Sequence, residues 1–311
     1  MLDLTRLRVL VEVAKRGSVT VAAQALHYTQ PSVSHHLARL EEETGVKLVQ
    51  RMGRGIRLTD AGRLLAERAT EVLGRLDAAE AELAAHAGLR QGRVRLAAFP
   101  SALGTFVPKA AALLAEKHPS LELTFFEAEP PEALAMLRAG DVDVAVVFRH
   151  DLDATAVRDA AKEEEGVRLK RLLTEPVYLV LPKGKRRNGK QDGARKATLD
   201  LAAYKGERWI AGCDRCRSHL LAQCAQAGFT PRIAFTTDDY IATQALVAAG
   251  VGVATLPELA LLSARHPGVV SHALPGAVRY VLMATYGQPP DAPATSALLE
   301  ALAASVPSSL V

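Results

Sequence analysis

Residues 29–51 read TQPSVSHHLARLEEETGVKLVQR, and the geometry of a helix decides what this stretch is for. Each residue of an α-helix advances about 100°, so Val33, Leu37 and Leu40 fall within about 40° of one line and form an apolar stripe. On the same count His35 points about 160° away from that stripe, alongside Pro31, Ala38 and Glu42, whereas His36 lies only about 60° from it. The two adjacent histidines therefore do not share a face. A metal pair on a helix needs i, i+3 or i, i+4 spacing, and Glu41, Glu42 and Glu43 do not complete a ligand set with both rings. General-base chemistry needs a nucleophile and a concave site, neither of which a short helix near the N-terminus suggests. What remains is a polar surface at the start of the helix, made by Gln30, Pro31, Ser32, Ser34 and His35. Such short or amide side chains approach a phosphate or a base edge closely.

Upstream, Leu4, Leu7, Leu10, Val11 and Ala14 recur at three- and four-residue spacing, which predicts an amphipathic helix ended by Gly17. Ser18 offers an N-cap hydroxyl to a second short helix, VTVAAQAL, and HYTQ is the break before the third. Three helices within 45 residues, the last two joined by a tight turn, outline a helix-turn-helix. Downstream, VKLVQRMGRGIRLT predicts two short strands around Gly53 and Gly55, a small wing. Thr59 then begins a long helix in which Leu65, Ala69, Val72, Leu76, Ala79 and Leu83 step by fours and threes. That heptad seam, flanked by Glu67, Arg68, Glu71, Arg75 and Glu82, predicts a dimerising coiled coil in preference to a helix lying on its own domain.

From Gly92 short β-rich runs alternate with helical ones, and an α/β region with mainly parallel strands is expected. The runs are VRLAAF (94–99), LELTFFEA (121–128), DVAVVF (143–148), VYLVLP (177–182), RWIAG (208–212), IAFTT (233–237), GVATL (252–256) and RYVLMATY (279–286). Residues 101–117 and 130–139 read as helices. About 200 residues fit one large domain or two similar small ones, and no strict internal repeat is visible.

The 311 residues carry a net charge of +4. Residues 1–60 hold nine basic and six acidic residues, while the run KGKRRNGKQDGARK (183–196) holds seven and one. The high pI of 9.0 thus comes mostly from one polar loop and is weak evidence for nucleic acid; the excess in the first 60 residues matters more. The N-terminus has no uninterrupted apolar core of a secretory signal, and no stretch approaches the roughly 18 apolar residues of a membrane span. A cytoplasmic protein is expected. No G-x-S-x-G, G-x-G-x-x-G with an acidic partner, P-loop or HExxH occurs, which argues against an enzyme. A solute-binding protein would leave the first 90 residues unexplained.

The ordered set Gly17-Ser18, Ala22-Ala23, Leu26, Thr29-Gln30-Pro31, Val33-Ser34, Leu37, Leu40-Glu41, Gly45, Leu48, Arg51, Leu58-Thr59 and Ala61-Gly62 resembles the N-terminal signature of LysR-type transcriptional regulators. Val49 stands where that signature usually has Phe, and Leu10-Val11 replaces a common aromatic pair. Both changes keep an apolar residue, so they alter packing more than DNA contact. The resemblance implies a winged helix-turn-helix over 1–59, a dimerising linker helix over 60–91 and an effector-binding region over 92–305. That region would comprise two α/β subdomains, 92–173 with 270–305 and 174–269, resembling type 2 periplasmic solute-binding proteins. The implied partners are a double-stranded DNA operator, a second copy of the chain in a homodimer or tetramer, a small-molecule effector and RNA polymerase. No metal, cofactor or membrane is implied.

By the same resemblance Gln30, Pro31, Ser34 and His35 read the major groove, Ser32 and Arg39 lie at the phosphates, Arg54 and Arg57 on the wing approach the backbone or minor groove, and Ser18 and Thr29 complete the DNA-binding set. Effector sites in such folds lie at strand C-termini and helix N-termini, and Ser101, Thr105, Phe148, Arg149, Asp214, Thr237 and Val253 are the candidates. Plain packing or capping is an equally good account of each taken singly.

GCDRCRSHLLAQC (212–224) leaves three readings open. Cys213 and Cys216 have CxxC spacing at a helix start, where the helix dipole with Arg215 and Arg217 is expected to lower a thiol pKa. With Cys224 they form a candidate thiol-redox sensor, and the run looks locally similar to the peroxide-sensing branch of the family, although Cys216 and Cys224 are one residue closer together than that pattern expects. A metal site with His219 is the second reading, and ordinary helix-start and core cysteines the third.

Overall fold

In a computed structural model, residues 2–52, 55–86, 92–150, 166–184 and 199–310 are described. They form two compact units, residues 1–90 with 138–141 and residues 91–137 with 142–311.

The first unit contains α1 (Leu4–Arg16), α2 (Val19–Ala25), α3 (Gln30–Thr44), the antiparallel strands β1 (Val49–Met52) and β2 (Gly55–Leu58), and α4 (Asp60–His86). Each of the first three helices starts on a side-chain cap. Asp3, Ser18 and Thr29 accept from the backbone N–H groups of Arg6, Val21 and Ser32 at 3.1, 3.4 and 3.3 Å, satisfying donors that have no partner within the helix. Gly17 and Gly45 close α1 and α3 at φ +64° and +70°, a conformation that disfavours residues with a Cβ. Val33, Leu37 and Leu40 are buried with Leu10, Val13, Ala22 and Leu48, as the helical count predicts. Glu41 ties α3 to the wing: its carboxylate accepts from Lys47 Nζ at 2.6 Å and from the N–H groups of Leu48 and Val49 at 2.9 and 3.2 Å. Burial pushes this carboxyl up, but the three hydrogen bonds win and hold it below the usual range. Gly62 of the RLTDAG motif has a steric cause, since a Cβ there would lie 2.0 Å from the carbonyl oxygen of Leu48.

The second unit is built on one eight-stranded sheet, in the order β4 (Glu122–Glu127), β3 (Arg93–Ala98), β5 (Val144–His150), β10 (Val269–Tyr286), β6 (Val167–Pro182), β9 (Val253–Pro257), β7 (Arg208–Ala211) and β8 (Arg232–Thr236). The order repeats itself. In each half the first strand in sequence lies between the second and third and is parallel to both, and the third lies beside a long antiparallel strand. The helices are α5 (Pro100–Leu103), α6 (Val107–Lys117), α7 (Pro130–Arg138), α8 (Asp214–Gln226), α9 (Tyr240–Ala248), α10 (Glu258–Ser263) and α11 (Pro293–Ala304). Separate apolar clusters form around Val94, Leu96 and Phe106 in one half and Leu179, Trp209 and Val253 in the other.

Two expectations need correction. The sheet is mixed, because β6 and β10 run through both halves as 16- and 18-residue strands paired antiparallel. Only their stretches 177–182 and 279–286 were legible: charged residues mask 167–176, while Pro275 and Gly276 sit at a register shift between Ala273 and Val278 that breaks the strand pattern. The expected subdomain limits at 173 and 270 thus fall inside continuous strands. The single helix expected over 101–117 is two, because Pro108 has no N–H to continue the ladder past Gly104, and α6 restarts at Val107.

Candidate functional site

Two surfaces are candidates, one in each unit. In the first, Gln30, Pro31 and His35 are exposed and Ser32 and Ser34 half-buried at the start of α3. Gln30 Nε2 donates to Ser34 Oγ at 2.9 Å, which holds the amide along the helix surface. His36 is half-buried and stacks on Tyr28, with ring centroids 5.7 Å apart, so the pair HH is one exposed ring and one packed ring. Ser18 and Thr29 spend their hydroxyls on the caps described above, and Arg39 pairs with Glu42 at 2.8 Å on the exposed side of α3. Arg57 is exposed on β2. Arg54 lies outside the described residues, as do residues 185–196 of the basic run.

In the second unit a cleft opens between the two halves of the sheet, at the C-terminal ends of β3, β5, β7, β8 and β9. Its empty space, mouth included, is about 530 Å³. Ser101, Glu129, Phe148 and Arg279 line it from one half, and Cys213, Cys216, Thr237, Asp238, Tyr240 and Leu256 from the other. Its floor is a buried ion pair. Arg279 donates to Glu175 Oε1 from Nε and Nη2 at 2.7 and 2.6 Å, and Nη2 also donates to Ser101 Oγ at 3.0 Å. Its guanidinium lies against the rings of Phe99 and Phe148, 4.8 and 4.5 Å from their centroids, and the other oxygen of Glu175 accepts from the N–H of Leu259 at 2.7 Å. Buried charges persist when paired and hydrogen-bonded in this way.

Of the residues expected at the effector site, Ser101, Phe148 and Thr237 line the cleft, and Thr105, Arg149, Asp214 and Val253 do not. The Thr105 hydroxyl turns back to donate to Ser101 O at 2.6 Å. Arg149 follows Phe148 in a strand, so it faces the opposite side of the sheet. Asp214 is exposed, and Val253 is fully buried beside Trp209. Sequence reasoning missed Glu129, Glu175, Asp238 and Arg279. Glu129 and Asp238 follow the strands β4 and β8, a signal available from topology alone; Glu175 and Arg279 were hidden by the unrecognised lengths of β6 and β10.

Cys213 and Cys216 also line the cleft, with their sulfurs 3.2 Å apart. The expected lowering of the helix-start thiol is not what Cys213 shows: its hydrogen bond to Cys216 and its burial push it up. Cys224 is buried beside Trp209 and Leu220, and burial pushes its thiol up to about 12. Among the described residues no group of three or more His, Cys, Asp or Glu side chains is placed to hold a metal ion, and no helix is long and apolar enough to cross a membrane.

A capped helix-turn-helix with a polar face on its third helix, in a chain that also carries a two-lobed α/β unit with a cleft at its strand ends, defines a DNA-binding regulator with a ligand-binding unit. Residues 4–63 match the bacterial regulatory helix-turn-helix family of lysR type, and residues 87–307 match the LysR substrate-binding domain. The chain belongs to the LysR family of transcriptional regulators. It is 30% identical over 261 residues to the uncharacterised HTH-type regulator YvbU of Bacillus subtilis, a match that covers 84% of this chain and 83% of that one. Among solved structures, CbnR, a LysR family regulator, superposes with TM-score 0.63 at 21% identity over 98% of this chain and 100% of CbnR. A full-length OxyR variant from Pseudomonas aeruginosa gives TM-score 0.63 at 22% identity over 98% and 94%. Members of this family are transcription factors, not enzymes.

Proposed function

We propose that this regulator binds a pseudo-palindromic DNA operator as a homodimer or tetramer and that a small-molecule effector in the cleft controls it, in the cytoplasm and through contact with RNA polymerase. The domain limits that go with this reading are 1–59, 60–91 and 92–305, with the subdomains 92–173 plus 270–305 and 174–269. Gln30, Pro31, Ser34 and His35 read base edges; Ser32 and Arg39 lie at the phosphates; Arg54 and Arg57 on the wing approach the backbone or minor groove; Ser18 and Thr29 complete the DNA-binding set. The observation that carries the reading is the start of α3, where the polar face stays exposed while Val33, Leu37 and Leu40 are buried. N-terminal residues of the second helix of a helix-turn-helix meet base edges in the major groove. The effector acts only through a difference in its affinity for two arrangements of the protein. His35→Ala is expected to weaken operator binding by about 1–3 kcal/mol while changing binding to random DNA little. Titration of both DNAs at one fixed salt concentration checks this, and equal losses on the two would defeat the assignment.

A second reading rests on the cysteines. The 3.2 Å separation of Cys213 and Cys216 inside the cleft favours a thiol switch at the same site, in which a bond between these two sulfurs stands in for a bound effector.

A further inference from the structure

Three of the places where the cleft would hold an anion are already filled. Arg279, the basic side chain lining it, is committed to Glu175 and Ser101 and lies against two aromatic rings. The start of α10 is taken by Glu175, whose Oε2 accepts from Leu259 N. The start of α9 is taken by Asp239, whose Oδ1 accepts from the N–H groups of Ile241 and Ala242 at 2.8 and 3.0 Å. Helix N-termini and arginines are the usual anion holders; Arg279 and the starts of α9 and α10 are matched by carboxylates of the chain itself, while the start of α8, which also lines the cleft, has no side-chain cap.

The charged side chains left facing the cleft are acidic, Glu129 and Asp238. Glu129 Oε2 is buried without a hydrogen-bond partner, and a buried unsatisfied carboxylate oxygen is costly. Burial pushes this carboxyl up against the lowering effects of the Cys213 thiol, Arg279 and Arg215, and Asp238 pushes it further up. Such a group takes either a proton or a cation. Apolar surface stands beside it in Ile210, Leu256 and Pro257. A metal ion would need a third ligand, and no such trio is placed among the described residues.

We propose that the effector is a small organic cation with N–H donors, an alkylammonium or amidine of a few heavy atoms, whose charged end pairs with Glu129 and Asp238 and whose hydrocarbon lies against Ile210, Leu256 and Pro257. This rests on the cleft being the effector site. Displacement of the Glu129 proton by the ligand makes binding tighten as pH rises through the titration of that carboxyl.

The test is calorimetric titration and thermal unfolding of the full chain with methylamine, propylamine and 1,4-diaminobutane, against acetate, butyrate and succinate at matched ionic strength. At least one amine is expected to bind and to raise the midpoint. Glu129→Gln, which keeps shape and removes charge, should weaken it by about tenfold or more, because hydrogen bonds to a charged group are the strong ones. Thr237→Trp, which fills the cleft from a loop, should abolish it. An amine that binds wild type and Glu129→Gln alike overturns the proposal. Carboxylates binding in place of amines, with that binding lost in Thr237→Trp, overturn the charge assignment and leave the cleft as the effector site. Binding insensitive to Thr237→Trp, or no binding by either class, overturns both.

Discussion

The three cysteines show how far spacing alone can be read. Cys216 and Cys224 lie eight residues apart on α8, about 12 Å along the axis at 1.5 Å per residue, far beyond the reach of a disulfide while the helix is intact. Cys213 and Cys216 lie within one turn, sulfur to sulfur 3.2 Å. Two thiols so placed lose two protons and two electrons to become one disulfide, and a peroxide accepting them becomes two waters. Treatment with hydrogen peroxide is therefore expected to remove two of the three titratable thiols of the unfolded, quenched protein and to link Cys213 to Cys216 in the peptide map. Cys224→Ser should leave this unchanged, whereas Cys213→Ser and Cys216→Ser should each abolish it. A linkage mapped to Cys224 would sink the expectation. The CxxC spacing was legible in the sequence; the environment was not. The helix dipole and neighbouring arginines promised an acidic thiol, but the hydrogen bond to Cys216 and burial decide the matter for Cys213; the first is set by the local turn, the second by tertiary packing.

At the scale of elements, α3 was legible nearly residue by residue because one amphipathic helix on one core obeys a single period. The helix α4 was legible only in part. Of the seam Leu65, Ala69, Val72, Leu76, Ala79 and Leu83, Ala69 is buried in the unit's own core together with Ala66 and Leu73, while Val72 and Leu83 stand 50% and 71% exposed. Two apolar stripes run side by side on this helix, about 80° apart, and periodicity does not say which neighbour covers which. The inner stripe holds α4 to α1; the outer one is free for a second copy. Val72→Glu combined with Leu83→Glu is accordingly expected to shift sedimentation toward monomer with the thermal midpoint of the dilute protein little changed. Leu73→Ala should instead destabilise the helix-turn-helix unit by about 2–4 kcal/mol. A double variant that sediments like wild type would remove the coiled-coil assignment.

On the whole-molecule scale the α/β unit is two copies of one strand order joined by β6 and β10, a repeat that topology shows and the amino-acid sequence conceals. Strand order depends on pairing between distant segments, and no local period encodes it. One contact between the halves is itself titratable. His150, at the end of β5, stacks on His219 of α8 with ring centroids 4.1 Å apart and planes 15° from parallel; both are buried. Phe148 meets His150 edge-on at 5.5 Å. Burial, followed by the neighbouring His219, Arg279 and Arg215, holds His150 well below the usual imidazole range. The folded protein therefore keeps this ring neutral at a pH where the unfolded chain, with an ordinary value near 6.5, takes up a proton. Its contribution to stability is complete above about pH 6.5 and is lost as pH falls from there toward the folded value, with a slope approaching about 1.4 kcal/mol per pH unit. Denaturant unfolding of the α/β unit within the full chain at pH 7.5, 6.5 and 5.5 should show that decline. His150→Phe keeps an aromatic ring against His219 and cannot take up a proton, so it should flatten the decline by up to this one-proton slope. An unchanged slope in the variant would place the acid sensitivity elsewhere. Because the stacked rings belong to opposite halves, protonation is expected to loosen the contact between those halves before either core unfolds, which ties acid stability to the cleft between them.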